Sequence, residues 1–156
     1  MAGSGQPGII QPASREIGLF HILEPEVAGG WGLGTDADTT VYPPVVRRLV
    51  YEFEGWLGDD LLETFPCFVV TDRLAKAIKT STLTGYELGP VEVAKSAVFE
   101  ELQPGCVLPD FHRLFVLGHT GKDDFSIDNQ KLRVSEAALT VLSQFNMEHC
   151  DTSAAT

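Results

Sequence analysis

The sequence predicts an α+β fold in which a single mixed, mostly antiparallel sheet carries two packed helices. Two observations predict it: residues 65–93 and residues 131–150 each follow the order strand, helix, strand. A third is the alternation of apolar and polar residues over 49–53, which is typical of a strand with one wet face. Because the two units share one design, we expect both to belong to the same sheet.

The first unit contains the clearest local signals. A short apolar run, 67–70, is typical of a buried strand, and Thr71 after it is a good helix N-cap. Asp72 then places a negative charge in the first helical turn, where the helix dipole favours it. The apolar positions that follow have helical spacing: Leu74, Ala77 and Ile78. Gly85 ends the unit and an extended stretch follows.

The second unit repeats these signals more weakly. Residues 131–134 are a strand candidate, Ser135 is the predicted cap, and Glu136 is the acid of the first turn. The predicted apolar stripe consists of Ala138, Val141, Leu142 and Phe145. Residues 147–150 are predicted to form the returning strand.

Other segments are assigned from shorter patterns. Residues 17–23 and 113–117 are predicted strands, the first of them central because it is apolar on both faces. Residues 97–102 are a predicted helix, and Asp59 or Asp60 is expected to cap a helical turn at 61–63. The stretch 28–44 is a predicted long loop, and long loops in compact domains are commonly functional.

The chain has 156 residues, which predicts one domain at 15–150 between flexible tails at 1–14 and 151–156. The first tail is either native or a segment added to the native chain. There are 11 basic and 22 acidic residues, giving a net charge of −11, which disfavours a nucleic-acid partner. This charge either serves solubility or attracts a basic partner.

The cysteines and the hydropathy predict a cytoplasmic protein. Three cysteines without a CxxC pair favour reduced thiols over a disulfide framework. No run approaches 18 apolar residues, and no basic-then-apolar N-terminal segment suggests secretion, so we expect neither membrane nor export.

No motif predicts catalysis, a metal or a cofactor. The string DADTT at 36–40 matches the DxDxT of haloacid-dehalogenase phosphotransferases, but no strand precedes it. The glycines of GGWGLG lack the flanking strand and helix of a dinucleotide site. The histidines and cysteines lack the spacing of ligand pairs, and a Cys106 nucleophile with His112 or His119 has no local support.

Two features suggest contacts with a partner protein. Two tryptophans in glycine-rich loops have the composition of interface anchors, and two acidic pairs on predicted turns could bind lysine or arginine. The alternative is that the tryptophans fill core edges and the acids are solvated or cap helices. The candidate contacts are Trp31, Trp56, Asp59, Asp60, Asp123 and Asp124.

Several short steps resemble a known family. They are Val70-Thr71-Asp72, Gly85-Tyr86-Glu87, Pro90-Val91-Glu92, Asp123-Asp124-Phe125 and Val134-Ser135-Glu136. Over residues 50–150 the chain resembles immunity proteins of bacterial polymorphic toxin systems, of a type formerly described as a domain of unknown function. The resemblance implies a non-enzymatic antitoxin, a monomer or weak dimer, that binds and neutralises a cognate, basic toxin. The alternatives are a small-ligand-binding module or a hydrolase that uses the acidic loops.

Overall fold

The computed structural model describes residues 19–155. The predicted tail at 1–14, the first two residues of the predicted strand at 17–23 and residue 156 lie outside that range. The strands are β1 (Phe20–Glu24), β2 (Gly29–Trp31), β3 (Asp36–Asp38), β4 (Val45–Arg48), β5 (Val50–Phe53), β6 (Leu61–Thr64), β7 (Cys67–Thr71), β8 (Tyr86–Gly89), β9 (Glu92–Lys95), β10 (Phe111–Val116), β11 (Phe125–Asp128), β12 (Lys131–Ser135) and β13 (Asp151–Ala154). The helices are α1 (Asp72–Lys79), α2 (Ala97–Leu102) and α3 (Glu136–Leu142).

The prediction of a single sheet with two helices is wrong. The described strands form four sheets, and three short helices accompany them. Sheet 1 has the strand order β6-β7-β10-β8, sheet 2 the order β11-β12-β1-β13, and sheet 3 the order β9-β5-β2, while β3 and β4 form a two-stranded ribbon. All neighbouring strands are antiparallel except β9 and β5.

The first strand and the helix of each predicted unit are present, but the units lie in different sheets, and the strand that follows α3 is 151–154 and not 147–150. Helix α1 connects β7 to β8, and β10 lies between these strands and is antiparallel to both. Helix α3 connects β12 to β13, which flank β1 in the same way. Each unit is therefore a split β-α-β arrangement. Strand β1 precedes the first unit and completes the sheet of the second, whereas β10 precedes the second unit and completes the sheet of the first.

The predicted helix caps are confirmed. The Thr71 hydroxyl accepts the amide of Leu74, and the Ser135 hydroxyl accepts the amide of Ala138 at 3.0 Å. An acid, Asp72 or Glu136, follows each cap in the first turn. Both helices bury their apolar faces in a shared cluster, so capping sets where each helix begins and burial sets which face packs.

The core has two parts on opposite faces of sheet 1. Every residue of β7 is buried, because alternate side chains enter the two clusters. The first cluster joins sheets 1 and 2 with α1 and α3, and includes Leu23, Phe68, Val70, Leu74, Leu114, Phe125, Leu132 and Leu142. The second joins sheet 1 with sheet 3 and α2, and includes Tyr51, Phe53, Leu62, Val69, Phe99 and Phe111.

Several segment predictions need correction. The predicted loop at 28–44 contains strands β2 and β3, and the predicted helical turn at 61–63 is strand β6. Within the predicted tail at 151–156, residues 151–154 form β13, which pairs with β1, whereas 147–150 is not a strand. All four side chains of β13 are exposed, so backbone pairing holds it and no apolar pattern indicates it. The helix predicted at 97–102 is confirmed as α2.

Candidate protein-binding surface

Asp60, a predicted contact residue, is buried and holds the fold together. Its carboxylate accepts the Thr71 hydroxyl at 2.5 Å, Arg73 Nε and Nη2 at 2.8 Å each, and the Asn146 amide at 2.8 Å. Burial alone would raise the pKa of Asp60, but these hydrogen bonds outweigh it and lower the pKa below its usual value. The carboxylate therefore stays ionised inside the protein.

Asp124 is buried in the equivalent place of the second unit. Its carboxylate accepts the Ser135 hydroxyl at 2.5 Å and the Thr84 amide at 2.8 Å. Asp60 and Asp124 thus each join the cap of their own unit's helix to the segment that follows the other unit's helix. We call these two hydrogen-bonded groups the aspartate locks.

Asp59 is also fully buried and serves an internal role. Its carboxylate accepts the His149 amide at 2.8 Å and contacts His149 Nδ1 at 3.0 Å. The contact with Asp59 raises the pKa of His149. Burial raises the pKa of the neighbouring Glu26, whose carboxylate accepts the amides of Leu57 and Asp59. No sequence pattern indicates the role of Glu26, because its partners Leu57 and Asp59 are more than 30 residues away in the chain.

Glu26, Asp59 and His149 form the one described group whose ligand atoms, within 4.8 Å of one another, are close enough to hold a metal ion. The same atoms are engaged in the internal hydrogen bonds given above. Those bonds tie β1, the 55–60 turn and the C-terminal segment together, which accounts for the cluster without an ion.

The Cys–His hypothesis is not supported by contacts in the described chain. His112 Nε2 lies 2.8 Å from Asp72 Oδ1, and His119 Nδ1 lies 3.6 Å from Asp123. Neither histidine is hydrogen-bonded to Cys106 within residues 19–155. Asp123, a predicted contact residue, is half-buried and also accepts the His119 amide at 2.7 Å.

The two predicted tryptophans differ in their surroundings. Trp56 is half-buried: its ring contacts Phe111 edge-on at 5.8 Å and its Nε1 donates to the Asp59 carbonyl. Trp31 ends the edge strand β2 and lines an open cleft. Trp31 is therefore the more exposed of the two predicted tryptophans, whereas Trp56 lines a separate pocket of about 540 Å³ together with Asp60.

The cleft beside Trp31 is aromatic and has a volume of about 410 Å³. We define this aromatic cleft by its lining residues, Trp31, Thr39, Thr40, Val41, Tyr42, Pro44 and Phe65. Trp31 is 37 % exposed, Phe65 38 % and Tyr42 74 %, so all three rings are open to solvent. The Tyr42 and Phe65 ring centroids are 6.1 Å apart, which places them in one contiguous patch.

Local sequence explains how the cleft is built. A side-chain Cβ at Gly29 would lie 1.9 Å from the Glu52 carbonyl oxygen, so glycine is needed for β2 to approach β5. The ribbon of β3 and β4 presents Tyr42, and the hairpin of β6 and β7 presents Phe65. Sequence reasoning missed both rings; the available signal was that each directly precedes a proline in a turn.

A negative charge lies at the rim of the cleft. The Asp38 carboxylate accepts the amide of Thr40 at 2.9 Å and its hydroxyl at 2.5 Å. These hydrogen bonds hold the pKa of Asp38 below its usual value, so the group is ionised at neutral pH. The cleft therefore combines exposed rings with an acid, in a chain whose net charge is −11.

No protein family, characterised protein or solved structure matched this chain. The geometry of its own residues is thus the basis for a functional proposal. Among residues 19–155 there is also no helix with the length and hydropathy to cross a membrane.

Proposed function

We propose that this protein is a non-enzymatic antitoxin of the immunity type, which neutralises a basic toxin by binding it at the aromatic cleft. The observation that carries the proposal is the exposure of Trp31, Tyr42 and Phe65 in one patch. Contiguous exposed aromatic surface is characteristic of protein interaction sites, and Trp and Tyr are the commonest residues to dominate binding energy.

The charge of the protein supports a basic partner. A net charge of −11 accelerates encounter with a positively charged protein, and Asp38 at the rim can pair with its lysine or arginine side chains. The rings would then supply the desolvated contacts that make an inhibitor complex long-lived. The resemblance over residues 50–150 to immunity proteins favours the same function.

The buried acids support an interaction role for the cleft over chemistry in the acidic loops. Asp59, Asp60 and Asp124 direct their carboxylates at backbone amides, hydroxyls and side chains of the protein itself. These groups shape the fold, and Asp60 also lines a pocket of about 540 Å³ beside Trp56. The partner contacts are accordingly assigned to Trp31, Tyr42 and Phe65.

The test begins by inspecting the neighbouring genes for a toxin-like C-terminal domain, which then serves as the candidate toxin. Co-expression with the full chain should restore growth, and titration calorimetry should give a dissociation constant. Trp31→Ala should weaken binding about 30-fold, which corresponds to a dominant interface residue, and Trp31→Ala with Tyr42→Ala should abolish rescue.

Leu33→Ala is the matched control, because Leu33 is 98 % exposed two residues from Trp31 but does not line the cleft. It should leave affinity unchanged. Failure of the wild-type chain to protect the cell would overturn the antitoxin function. Full protection by the double variant would overturn the assignment to the cleft.

A further inference from the structure

Arg113 is a buried cation without a carboxylate partner. It lies on β10 and is 8 % exposed. The other described arginines, Arg47, Arg48, Arg73 and Arg133, each form a salt bridge with an aspartate or glutamate. Within residues 19–155 no carboxylate oxygen lies within salt-bridge distance of Arg113. Buried charges are normally paired, because removing an ion from water is costly.

The contacts of Arg113 hold the side chain in place but leave its charge uncompensated. Nη1 donates to the Val46 carbonyl at 2.8 Å, and the guanidinium carbon lies 4.3 Å from the centroid of the Phe115 ring. Burial lowers the pKa of Arg113, although a guanidinium remains charged at neutral pH. A guanidinium has five N–H donors, and this one uses only one of them in a hydrogen bond to the described chain.

Arg113 lines a pocket of about 270 Å³ at the edge of sheet 3. We call this the arginine pocket. Its charged residues are Arg47, Arg48, Glu92 and Arg113, and its apolar wall comprises Leu49, Pro90, Val91 and Phe115. Arg47 pairs with Asp36 and Arg48 with Glu92, so Arg113 is the unbalanced positive charge. The pocket shares no lining residue with the aromatic cleft.

The chemistry of the pocket selects the class of ligand. A guanidinium matches the two oxygens of a carboxylate in a bidentate geometry. The apolar wall suits a hydrocarbon body. The single unbalanced positive charge, Arg113, balances a monoanion better than a doubly charged phosphate. The volume of about 270 Å³ is just below the usual range for small-molecule sites, which limits the ligand to a small one.

We propose that the arginine pocket binds a small monocarboxylate with an aromatic or branched aliphatic body. The carboxylate pairs with Arg113, and the body packs on Phe115 and Val91. This site is independent of the proposed antitoxin function, because it depends on different residues and needs no partner protein.

The test titrates the full chain with benzoate, phenylacetate and isovalerate, followed by calorimetry and by chemical shifts in the pocket. At least one of them should bind saturably and more weakly at high salt, whereas benzamide, the neutral analogue of benzoate, should not. Arg113→Met should reduce the affinity at least about tenfold, since a charge-assisted bidentate pair is lost. Methionine preserves apolar packing, so this variant is expected to fold.

Two further variants separate ligand binding from a structural role. Val91→Trp should fill the pocket and block binding while leaving Arg113 in place. Arg73→Met, in helix α1 outside the pocket, should bind like the wild type. No binding by any of the three carboxylates, or equal binding by Arg113→Met, would overturn the site. Binding of inorganic phosphate as tight as that of the carboxylates would overturn the ligand class.

Discussion

The turns just before the two split β-α-β units and the segment that carries the aromatic cleft, residues 29–44, use polar and aromatic residues in opposite ways. In the turns, Asp60 and Asp124 are buried and accept hydrogen bonds from the caps of α1 and α3, eleven residues later in the chain. In the cleft segment, the rings of Trp31 and Tyr42 are exposed to solvent. The difference teaches that the most acidic turns of this chain build the fold, whereas its candidate recognition surface is aromatic.

The aspartate locks show how closely the two units correspond. The Asn146 amide donates to Asp60 and the Thr84 amide donates to Asp124, each at 2.8 Å. Both donors follow the helix of the opposite unit. Each carboxylate therefore links the helix cap of one unit to a backbone amide of the opposite unit. This link makes the folding of the two units interdependent.

The largest expected effect is a difference in stability between variants of the aspartate locks and variants of the cleft segment. Asp60→Ala and Asp124→Ala should each lower the free energy of unfolding by about 3 kcal/mol, because each leaves a buried hydroxyl and a partly buried amide without their acceptor. Tyr42→Ala, at a 74 % exposed site, should change it by less than about 0.5 kcal/mol. Urea denaturation measures all three. Similar losses for Tyr42→Ala and the lock variants would remove the distinction between the two regions.

A smaller effect concerns the acid stability of the first lock. Because the folded pKa of Asp60 is lowered, its contribution to stability is present above the usual aspartate pKa and is lost as pH falls through the lowered value. Arg73→Met should raise the pKa of Asp60 and move the acid-unfolding midpoint, followed by circular dichroism, to higher pH.

Lys79→Met is the control for that shift, since it removes a positive charge from the same helix without touching Asp60. An equal displacement of the midpoint in both variants would mean that overall charge, and not the contact between Arg73 and Asp60, sets the acid limit.

The smallest expected effect concerns His149, the exposed residue that contacts the buried Asp59. The pKa of His149 is raised, so its contribution to stability is complete below its usual pKa of 6.5 and is lost as pH rises through the raised value. His149→Gln keeps the amide bond to Asp59 but cannot be protonated. The difference in urea midpoint between wild type and variant should therefore shrink from pH 6 to pH 8, and a difference independent of pH would contradict this.

Local features of the fold were predictable from the sequence, whereas the sheet partners were not. Thr71 and Ser135 were identified as caps because a hydroxyl before an acid is a local signal. Nothing within residues 131–150 says that β12 and β13 flank β1, more than 100 residues earlier in the chain, and not a strand of the first unit. Similar local patterns therefore led to the expectation that both units share one sheet, whereas each unit lies in a sheet of its own.

The candidate site was partly predictable for the same physical reason. Trp31 was identified from its glycine-rich loop, but Tyr42 and Phe65 meet only after the ribbon and a hairpin have folded. The acidic pairs looked like surface features, because a sequence does not show which amides converge on a carboxylate. Arg113 could have been noticed from the sequence, since a charge directly before the apolar run LFVL is unusual for a buried strand.

Strands β1 and β10 each complete the sheet of the unit that is more distant in the chain, and this has a consequence for synthesis on the ribosome. When the first unit has emerged, β7 and β8 have no strand between them until residues 111–116 are made. Strand β1, the first to appear, receives its neighbours β12 and β13 only at the end of translation. Neither sheet 1 nor sheet 2 can be completed early in synthesis. The nascent chain therefore exposes unpaired strand edges for most of its synthesis, and chaperone binding is most useful under this condition.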